Sequence, residues 1–320
     1  MQLEALFQQP HALPAAPKIV DELVRSFDNP ASSTEDIARQ LGADPALSAK
    51  LLRLANSAYY HVSRSIGTVE DAVLMLGFVT VRTLVISSGL VSGYKTVPGL
   101  NLPQFWRYSL HSAVSARWIA RQTGDNQDLA FTVGMMHAIG QLVIHAAMPE
   151  QAMQLDKIAP PLDARRLDAE RVSLGYDYAQ VGAELARRWK FPAAFADAIA
   201  AFPDPLAKTP LNRLAAIIHL AAWRARIEEN ALSNEEIIAC YPGDVAEALG
   251  LPASVLIDKM PPPAELSAGL EELVKYVHRC RKSPPASMRL GGRFRQQAGN
   301  HLNYFHFFSK TPSSSCWTCR

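Results

Sequence analysis

Apolar residues recur at three- and four-residue spacing along most of this chain, and no stretch shows the alternation that is typical of a β-strand. Helix start signals are frequent. Asp44-Pro45 places a capping side chain before a proline at the first helical position, and Ser32 with Glu35 is typical of a capping box. Thr68 precedes a predicted helix over Val69–Leu76 that Gly77 is expected to end. The sequence therefore predicts an all-α fold.

The same periodicity predicts the positions of the other helices. They are expected at 46–58 and near 17–28, 79–92, 103–122, 127–147, 163–174, 178–189, 193–201, 211–228, 234–240 and 264–280. After Cys280 the periodicity is lost, and residues 283–320 are predicted to form a basic, poorly ordered tail. Cys316 and Cys319 lie in this tail with the spacing of a metal or redox pair, but no second pair accompanies them, so we interpret the spacing as incidental.

Composition bounds the class of protein. The 320 residues are 48% apolar and 19% charged, which indicates a globular chain with a sizeable core. Residues 281–320 hold seven Lys and Arg and no acid, which leaves 25 basic and 30 acidic side chains in residues 1–280. An acidic body makes nucleic acid an unfavourable partner. Four cysteines without a framework, and a start that lacks a signal peptide, predict a cytoplasmic protein.

The longest apolar stretch, about 129–148, contains His137, Gln141 and His145, so it is predicted to be a buried core helix and not a membrane span. His137 within Gly134–Gly140 also bears on chemistry. Enzymes that hold a hydrolytic metal on helices often follow such a His with Asp, because both side chains then reach one ion. Here Ala138 follows, and a methyl group neither ligates a metal nor accepts a proton.

Several segments together resemble one known family. Asp44–Tyr60, then Thr68–Gly77, match the N-terminal signature of the HDOD family, the HD-related output domain. Leu13-Pro14 and Pro17 fit its opening. Later segments resemble its further blocks in the right order: 105–109, 134–140, 175–178, 181–185 and 189–192. The resemblance covers roughly residues 10 to 225.

This resemblance implies a fold and a domain organisation. The fold is all-α, with an N-terminal helical bundle packed on a helical domain like that of HD phosphohydrolases. The expected regions are the bundle at 1–95, a degenerate HD-like domain at 96–230, C-terminal helices packing on the body at 231–282, and the tail at 283–320. The implied role is regulatory output in bacterial signalling, without catalysis and without a cofactor.

The resemblance also locates the positions that hold metal in related HD proteins. Tyr108 stands where the first His would be, His137 keeps the His of the HD pair, and Ala138 replaces its Asp. Tyr178 and Ala201-Phe202 fall where further His residues often occur, and the helix 211–222 offers His219 but no Asp. We therefore expect a vestigial site with no catalytic residue and no metal. The former metal cleft remains a place where a small ligand could bind.

Two alternatives stay open at this point. One is a residual HD-type metal-dependent phosphohydrolase. The other is a DNA-binding regulator, since residues 34–54 have the spacing of a helix-turn-helix, although the second helix is largely apolar.

A signalling protein is the partner that the family resemblance favours. Its contact surface is expected around the end of the 46–58 helix, outside the former metal site. The candidate residues are Lys50, Arg53, Asn56, Ser57, Tyr59 and Tyr60. The leucines of the same segment are expected in the core.

Overall fold

Two of the three N-terminal helices begin at side-chain caps. The computed structural model describes residues 3–9, 22–23, 26, 32–57, 60, 62–94, 96–189, 191–270 and 274. Helix α1 spans Leu3–Leu6, α2 spans Thr34–Gly42 and α3 spans Pro45–Ala55. The capping box of α2 is one residue later than predicted. Ser33 Oγ accepts a hydrogen bond from the Asp36 amide at 3.1 Å, and Asp36 Oδ2 accepts one from the Ser33 amide.

Helix α4, Val69–Gly93, confirms the predicted role of Gly77. Thr68 Oγ1 accepts a hydrogen bond from the Asp71 amide at 3.1 Å, which caps the helix start. Gly77 has φ 76° and ψ 159°, so the helix breaks there and its second half continues in a new direction. Glycine adopts a positive φ without the steric penalty that a Cβ brings.

The central helices follow. They are α5 Leu102–Thr123, α6 Gln127–Met136, α7 Ile139–Ala147, α8 Pro149–Ile158, α9 Arg166–Leu174, α10 Tyr178–Arg188, α11 Ala193–Ala201 and α12 Arg213–Asn230. The helix predicted at 127–147 is in fact two, because the chain breaks at His137-Ala138. Helix α8 was not predicted, although Pro149 at its first position is a start signal.

Short elements complete the described part of the chain. They are α13 Asn234–Ala239, α14 Gly243–Ala248, a π-helical turn at Val255–Lys259 and α15 Pro263–Leu266. Of the helix predicted at 264–280, the structure describes residues 264–270 and 274, and α15 corresponds to its first turn. The helix predicted at 17–28 and the tail at 283–320 lie largely or wholly outside them. No β-strand occurs in the part that the structure describes, and the predicted all-α class is confirmed.

Two glycines allow the central helices to approach closely. A Cβ on Gly134 of α6 would lie 2.8 Å from Ala113 Cα and 2.9 Å from the Ser112 carbonyl oxygen of α5. A Cβ on Gly140 of α7 would overlap the backbone of Tyr178 at the start of α10. The backbone on the two sides of the break between α6 and α7 therefore packs directly against the backbones of α5 and α10.

Residues Met1–Val277 form one compact unit with a continuous core, in which α2 and α3 pack on α4 and α5 packs on α6 and α12. Within the described ranges, the continuous stretch Gln127–Ala147 is long and apolar enough to cross a bilayer, but 89% of its most apolar window is buried in the protein. The two bent halves of α4 pass that test only if they are counted as one span. Such burial is expected of a core helix.

Candidate functional site

The positions that would hold metal in HD proteins converge in the structure. Tyr108 comes from α5, His137 from the break between α6 and α7, Tyr178 from the start of α10 and His219 from α12. Phe202, directly after α11, lies between them. We call Tyr108, His137, Tyr178, Phe202 and His219 the HD cluster.

Ring contacts hold this cluster together. The His137 ring lies 5.3 Å from the Tyr108 ring and 5.2 Å from the Phe202 ring, which it meets edge to face. The Phe202 ring is also 6.1 Å from that of Tyr178, and its carbonyl oxygen accepts a hydrogen bond from His219 Nδ1 at 2.8 Å. The bulky Phe202 side chain, which is 1% exposed, therefore fills the centre of the cluster.

His137 is held in one tautomer. Its Nδ1 lies 2.7 Å from the carbonyl oxygen of Gly134, which can only accept, so Nδ1 carries the proton and donates. Its Nε2 lies 3.1 Å from the Tyr108 hydroxyl and accepts from it. Burial lowers the pKa of His137 to about 4, opposed by the Gly134 hydrogen bond and reinforced by the charge of Arg226. The imidazole is thus neutral, and its lone pair is taken by Tyr108.

Arg226 is a member of this site that the sequence prediction missed. It lies on α12, seven residues after His219, so both project from one face of the helix. Its positive charge lowers the pKa values of His137 and His219 and opposes the rise that burial causes in the pKa of Tyr108. The seven-residue spacing from His219 was the available signal.

The residues present do not fit a divalent metal ion. Ala138 is fully buried and offers no donor atom, Tyr108 occupies the lone pair of His137, and the Arg226 charge repels a cation. Burial raises the pKa of Tyr178 well above its ordinary value, so its phenol stays protonated. No group of three or more His, Cys, Asp or Glu in the described residues could hold a metal.

A second cluster, made of buried charged side chains, contacts the start of α10. Arg166 of α9 is fully buried and donates to Glu170 at 2.7 Å, to Asp156 of α8 and to the Ala159 carbonyl. Glu170 Oε2 accepts a hydrogen bond from the backbone amide of Tyr178 at 2.6 Å. Burial raises the pKa of Glu170 to about 7, against the lowering effect of Arg166. This chain of bonds fixes the start of α10 and hence Tyr178.

The predicted partner surface is only partly a surface. Lys50 is 7% exposed and donates to Ser88 Oγ at 3.3 Å, and Ser57 is 8% exposed. The expectation that these two side chains are exposed was wrong, because α3 turns them toward α4 and its own last turn. Arg53 is exposed, Tyr60 is half-buried with the Arg117 guanidinium 5.2 Å from its ring, and Tyr59 lies outside the described residues.

Asn56 is exposed but structural. Its amide nitrogen donates to the carbonyl oxygens of Leu52 and Ile66, both at 2.8 Å, and its Oδ1 accepts from the Ile66 amide at 2.7 Å. The side chain therefore closes the loop after α3, and its role as a partner contact stays a prediction.

The helix-turn-helix spacing corresponds to α2 and α3. The second of these helices buries Leu47, Lys50, Leu51 and Leu54 against the rest of the bundle. A reading helix must instead present polar side chains to base edges. The geometry therefore disfavours DNA recognition by α3.

Comparison with known proteins agrees with this architecture. A protein from Shewanella amazonensis named "Putative phosphohydrolase" superposes with a TM-score of 0.66 and 31% identity, over 85% of this chain and 96% of that one. A Geobacter sulfurreducens HDOD domain protein of unknown function has a TM-score of 0.61 and 25% identity, over 85% of this chain and 94% of that one. An uncharacterized protein from Treponema pallidum is 26% identical over 182 residues, which are 56% of this chain and 35% of that protein.

The alignment thus spans about a third of the length of the Treponema relative. The family model of the HDOD domain matches residues 13–205, which are more than half of the chain and include most of the HD cluster. With the helical architecture and the sequence blocks in the expected order, this match shows that the chain belongs to the HDOD domain family.

Proposed function

We propose that this protein is a non-catalytic regulator in bacterial signal transduction that acts in the cytoplasm by binding another signalling protein. The observation that supports the proposal most is the hydrogen bond from Tyr108 to His137 Nε2, because it uses the one lone pair of the remaining HD residue. Ala138 and Phe202 place a methyl group and a ring where related HD proteins have donor atoms, and Arg226 adds a positive charge nearby. Without these donor atoms, the site can still contribute to function through its shape and its surface.

The exposed side chain of Arg53 at the end of α3 is where we place the partner contact. The test is capture of cross-linked partners by the full-length chain in its source cells. We expect Arg53→Glu to lose a partner that the wild type retains, while Arg121→Glu, an exposed arginine on α5, retains it. Equal capture by both variants would contradict the placement of the contact.

Hydrolysis is the second candidate, and it is favoured by the name of the Shewanella protein. We expect no turnover of bis(p-nitrophenyl) phosphate above background when purified protein is supplied with Mn²⁺ or Fe²⁺. Metal-dependent turnover that disappears in His137→Ala, with folding intact, would replace the regulatory proposal by an enzymatic one.

A further inference from the structure

The cluster of buried charged side chains around Arg166 extends to His145 of α7. Arg166 and His145 are fully buried, and the Asp156 side chain is 19% exposed. Arg166 Nη1 donates to Asp156 Oδ1, and its Nη2 lies 3.3 Å from His145 Nε2. The Nε of the same guanidinium is held by Glu170 at 2.7 Å. We call His145, Asp156 and Arg166 the charged triad, which joins α7, α8 and α9 outside the HD cluster.

The hydrogen bonds of His145 define its tautomer. Its Nδ1 lies 3.0 Å from the carbonyl oxygen of Pro98, which can only accept, so Nδ1 carries the proton. Its Nε2 is therefore the acceptor that Arg166 Nη2 meets. Burial lowers the pKa of His145, reinforced by the charge of Arg166 and opposed by the Pro98 hydrogen bond and by Asp156, so the ring is neutral at pH 7.

Protonation of His145 would set two cations against one carboxylate oxygen. Nε2 lies 3.5 Å from Asp156 Oδ1, the atom to which Arg166 also donates. A protonated Nε2 can no longer accept a hydrogen bond from Arg166, and the two positive charges repel each other at this distance. Arg166 Nε stays anchored at Glu170, so Nη1 is the end of the guanidinium that can move.

The other charged groups near the triad do not remove this competition. Glu170 accepts hydrogen bonds from Arg166 and from the backbone amide at the start of α10. Asp177, the next acid, is paired with Arg171 at 2.6 Å. The Tyr176 phenol, on which Glu170 acts, stays neutral because burial raises its pKa. Among the described residues of α10, which packs on α7, none adds a charge that acts on the imidazole.

The triad also holds segments that line a cleft of about 310 Å³. The lining includes residues 99–101 and 160–163. The first segment follows Pro98, whose carbonyl oxygen accepts from the imidazole. The second segment is tied at its start, where Arg166 Nη1 donates to the Ala159 carbonyl at 2.9 Å. The charge state of the triad therefore bears on the position of residues that form the cleft.

A second tether holds the same segment. Gln141 Nε2 donates to the Pro161 carbonyl at 2.8 Å. Because a side-chain amide does not titrate in this pH range, only the tether from Arg166 can respond to protons.

We propose that the charged triad is a proton-sensitive switch for the part of the cleft that Arg166 holds. Proton uptake by His145 draws Asp156 away from Arg166. Nη1 of Arg166 then releases the Ala159 carbonyl, and the segment 159–163 loosens. The segment before α5 stays in place, because Nδ1 donates to its carbonyl in both forms of the ring. The inference is independent of the proposed function, since the triad belongs neither to the HD cluster nor to the exposed face of α3.

Amide hydrogen exchange of the full-length protein between pH 7 and pH 4.5 tests the switch, with each rate divided by the intrinsic rate at the same pH. The reporter is the Asp163 amide, which donates to the Pro160 carbonyl at 2.9 Å, and the reference is the Leu100 amide, which donates to the Val97 carbonyl at 3.2 Å. We expect the protection of Asp163 to fall about tenfold with acid, while that of Leu100 and of the α5 amides stays within about threefold. The fall should follow the titration of the His145 ring, read by NMR.

Two variants separate His145 from the other titrating groups. His145→Gln keeps a side-chain donor and acceptor but takes up no proton, so the protection of Asp163 should be the same at both ends of the pH range. Asp156→Asn removes the carboxylate that favours the charged imidazole, so the fall should move to lower pH. Gln141→Leu is the control, because it removes the uncharged tether and should lower the protection by the same factor at every pH.

Constant protection of Asp163 down to pH 4.5 would overturn the inference, and so would an acid response in His145→Gln equal to that of the wild type. An unchanged midpoint in Asp156→Asn would do the same. A parallel loss at Asp163, Leu100 and the α5 amides would show global unfolding in place of a local switch. If His145→Gln does not fold, the ring titration of the wild type and the midpoint of Asp156→Asn still decide the question.

Discussion

At the scale of single residues, the cluster shows how a few side chains change the chemistry of a site. The family resemblance located Tyr108, His137, Ala138, Tyr178, Ala201-Phe202 and His219. The side chains of Tyr108, His137, Tyr178, Phe202 and His219 come together in the HD cluster. The sequence did not identify Arg226, because an arginine on a helix usually signals a solvated face. It also assigned Lys50 to the surface for the same reason, whereas the side chain is buried against Ser88.

The buried neutral state of His137 has a measurable consequence for stability. Its pKa of about 4 in the folded protein lies below its ordinary value of 6.5, so the unfolded chain binds more protons between these values. The contribution of neutral His137 to the free energy of unfolding is fully present above pH 6.5. It is lost as the pH falls toward 4, and the total loss is about 3 kcal/mol. The measurement is the free energy of unfolding from urea titrations between pH 7 and pH 4.5.

Comparison with His137→Gln isolates this contribution. Glu170 acts in the opposite direction, because its pKa is raised to about 7, but it is common to both proteins. We expect the wild type to lose more stability than His137→Gln as the solution is acidified. Parallel curves for the two proteins would show that folding does not lower the pKa of His137.

At the scale of elements, helix periodicity and capping residues predicted most boundaries. Asp44, Thr68 and Gly77 act as the sequence indicated. The break at His137-Ala138 was not predictable from periodicity, because apolar residues continue through it without a Gly or Pro at that point. The break follows from tertiary packing, in which Gly134 and Gly140 bring the two ends against α5 and α10.

Gly140→Ala tests the close approach of α7 and α10. The new methyl group would overlap the backbone of Tyr178, which cannot yield without moving the start of α10. We expect a loss of stability at the upper end of the roughly 1–3 kcal/mol that overpacking costs, or more. The matched control is Gly42→Ala, where a Cβ meets nothing within 4 Å and the higher helix propensity of alanine should stabilise by up to about 1 kcal/mol.

Chemical denaturation of both variants supplies the comparison. Similar unfolding midpoints for Gly140→Ala and Gly42→Ala would mean that the two helices are not in contact at Gly140.

At the scale of the whole molecule, the bundle and the HD-like helices lie in one compact unit, Met1–Val277. The family resemblance implied this packing, and both helix groups have apolar faces that must be buried. The predicted boundaries at 95 and 230 remain predictions, as does the ordering of the tail.

Leu51→Ala tests whether the unit unfolds as one. Leu51 is fully buried in α3, and its truncation should cost about 2–5 kcal/mol. If the bundle and the HD-like helices are cooperative, fluorescence that includes buried Trp106 of α5 and the far-ultraviolet circular dichroism signal should shift to the same lower midpoint. Arg53→Glu is the control on the exposed face of α3 and should change stability by less than about 0.5 kcal/mol.

Separate transitions for the two signals would instead indicate that the N-terminal helices unfold on their own.

The position of Arg226 also constrains the evolutionary paths open to this chain. An Asp at position 138, as related HD proteins have, would place a carboxylate next to His137, on which the Arg226 charge already acts, and the two charges would attract each other before any metal ion entered. Under the proposed function, a gain of metal-dependent hydrolysis would therefore require a change at Arg226 as well as at Ala138.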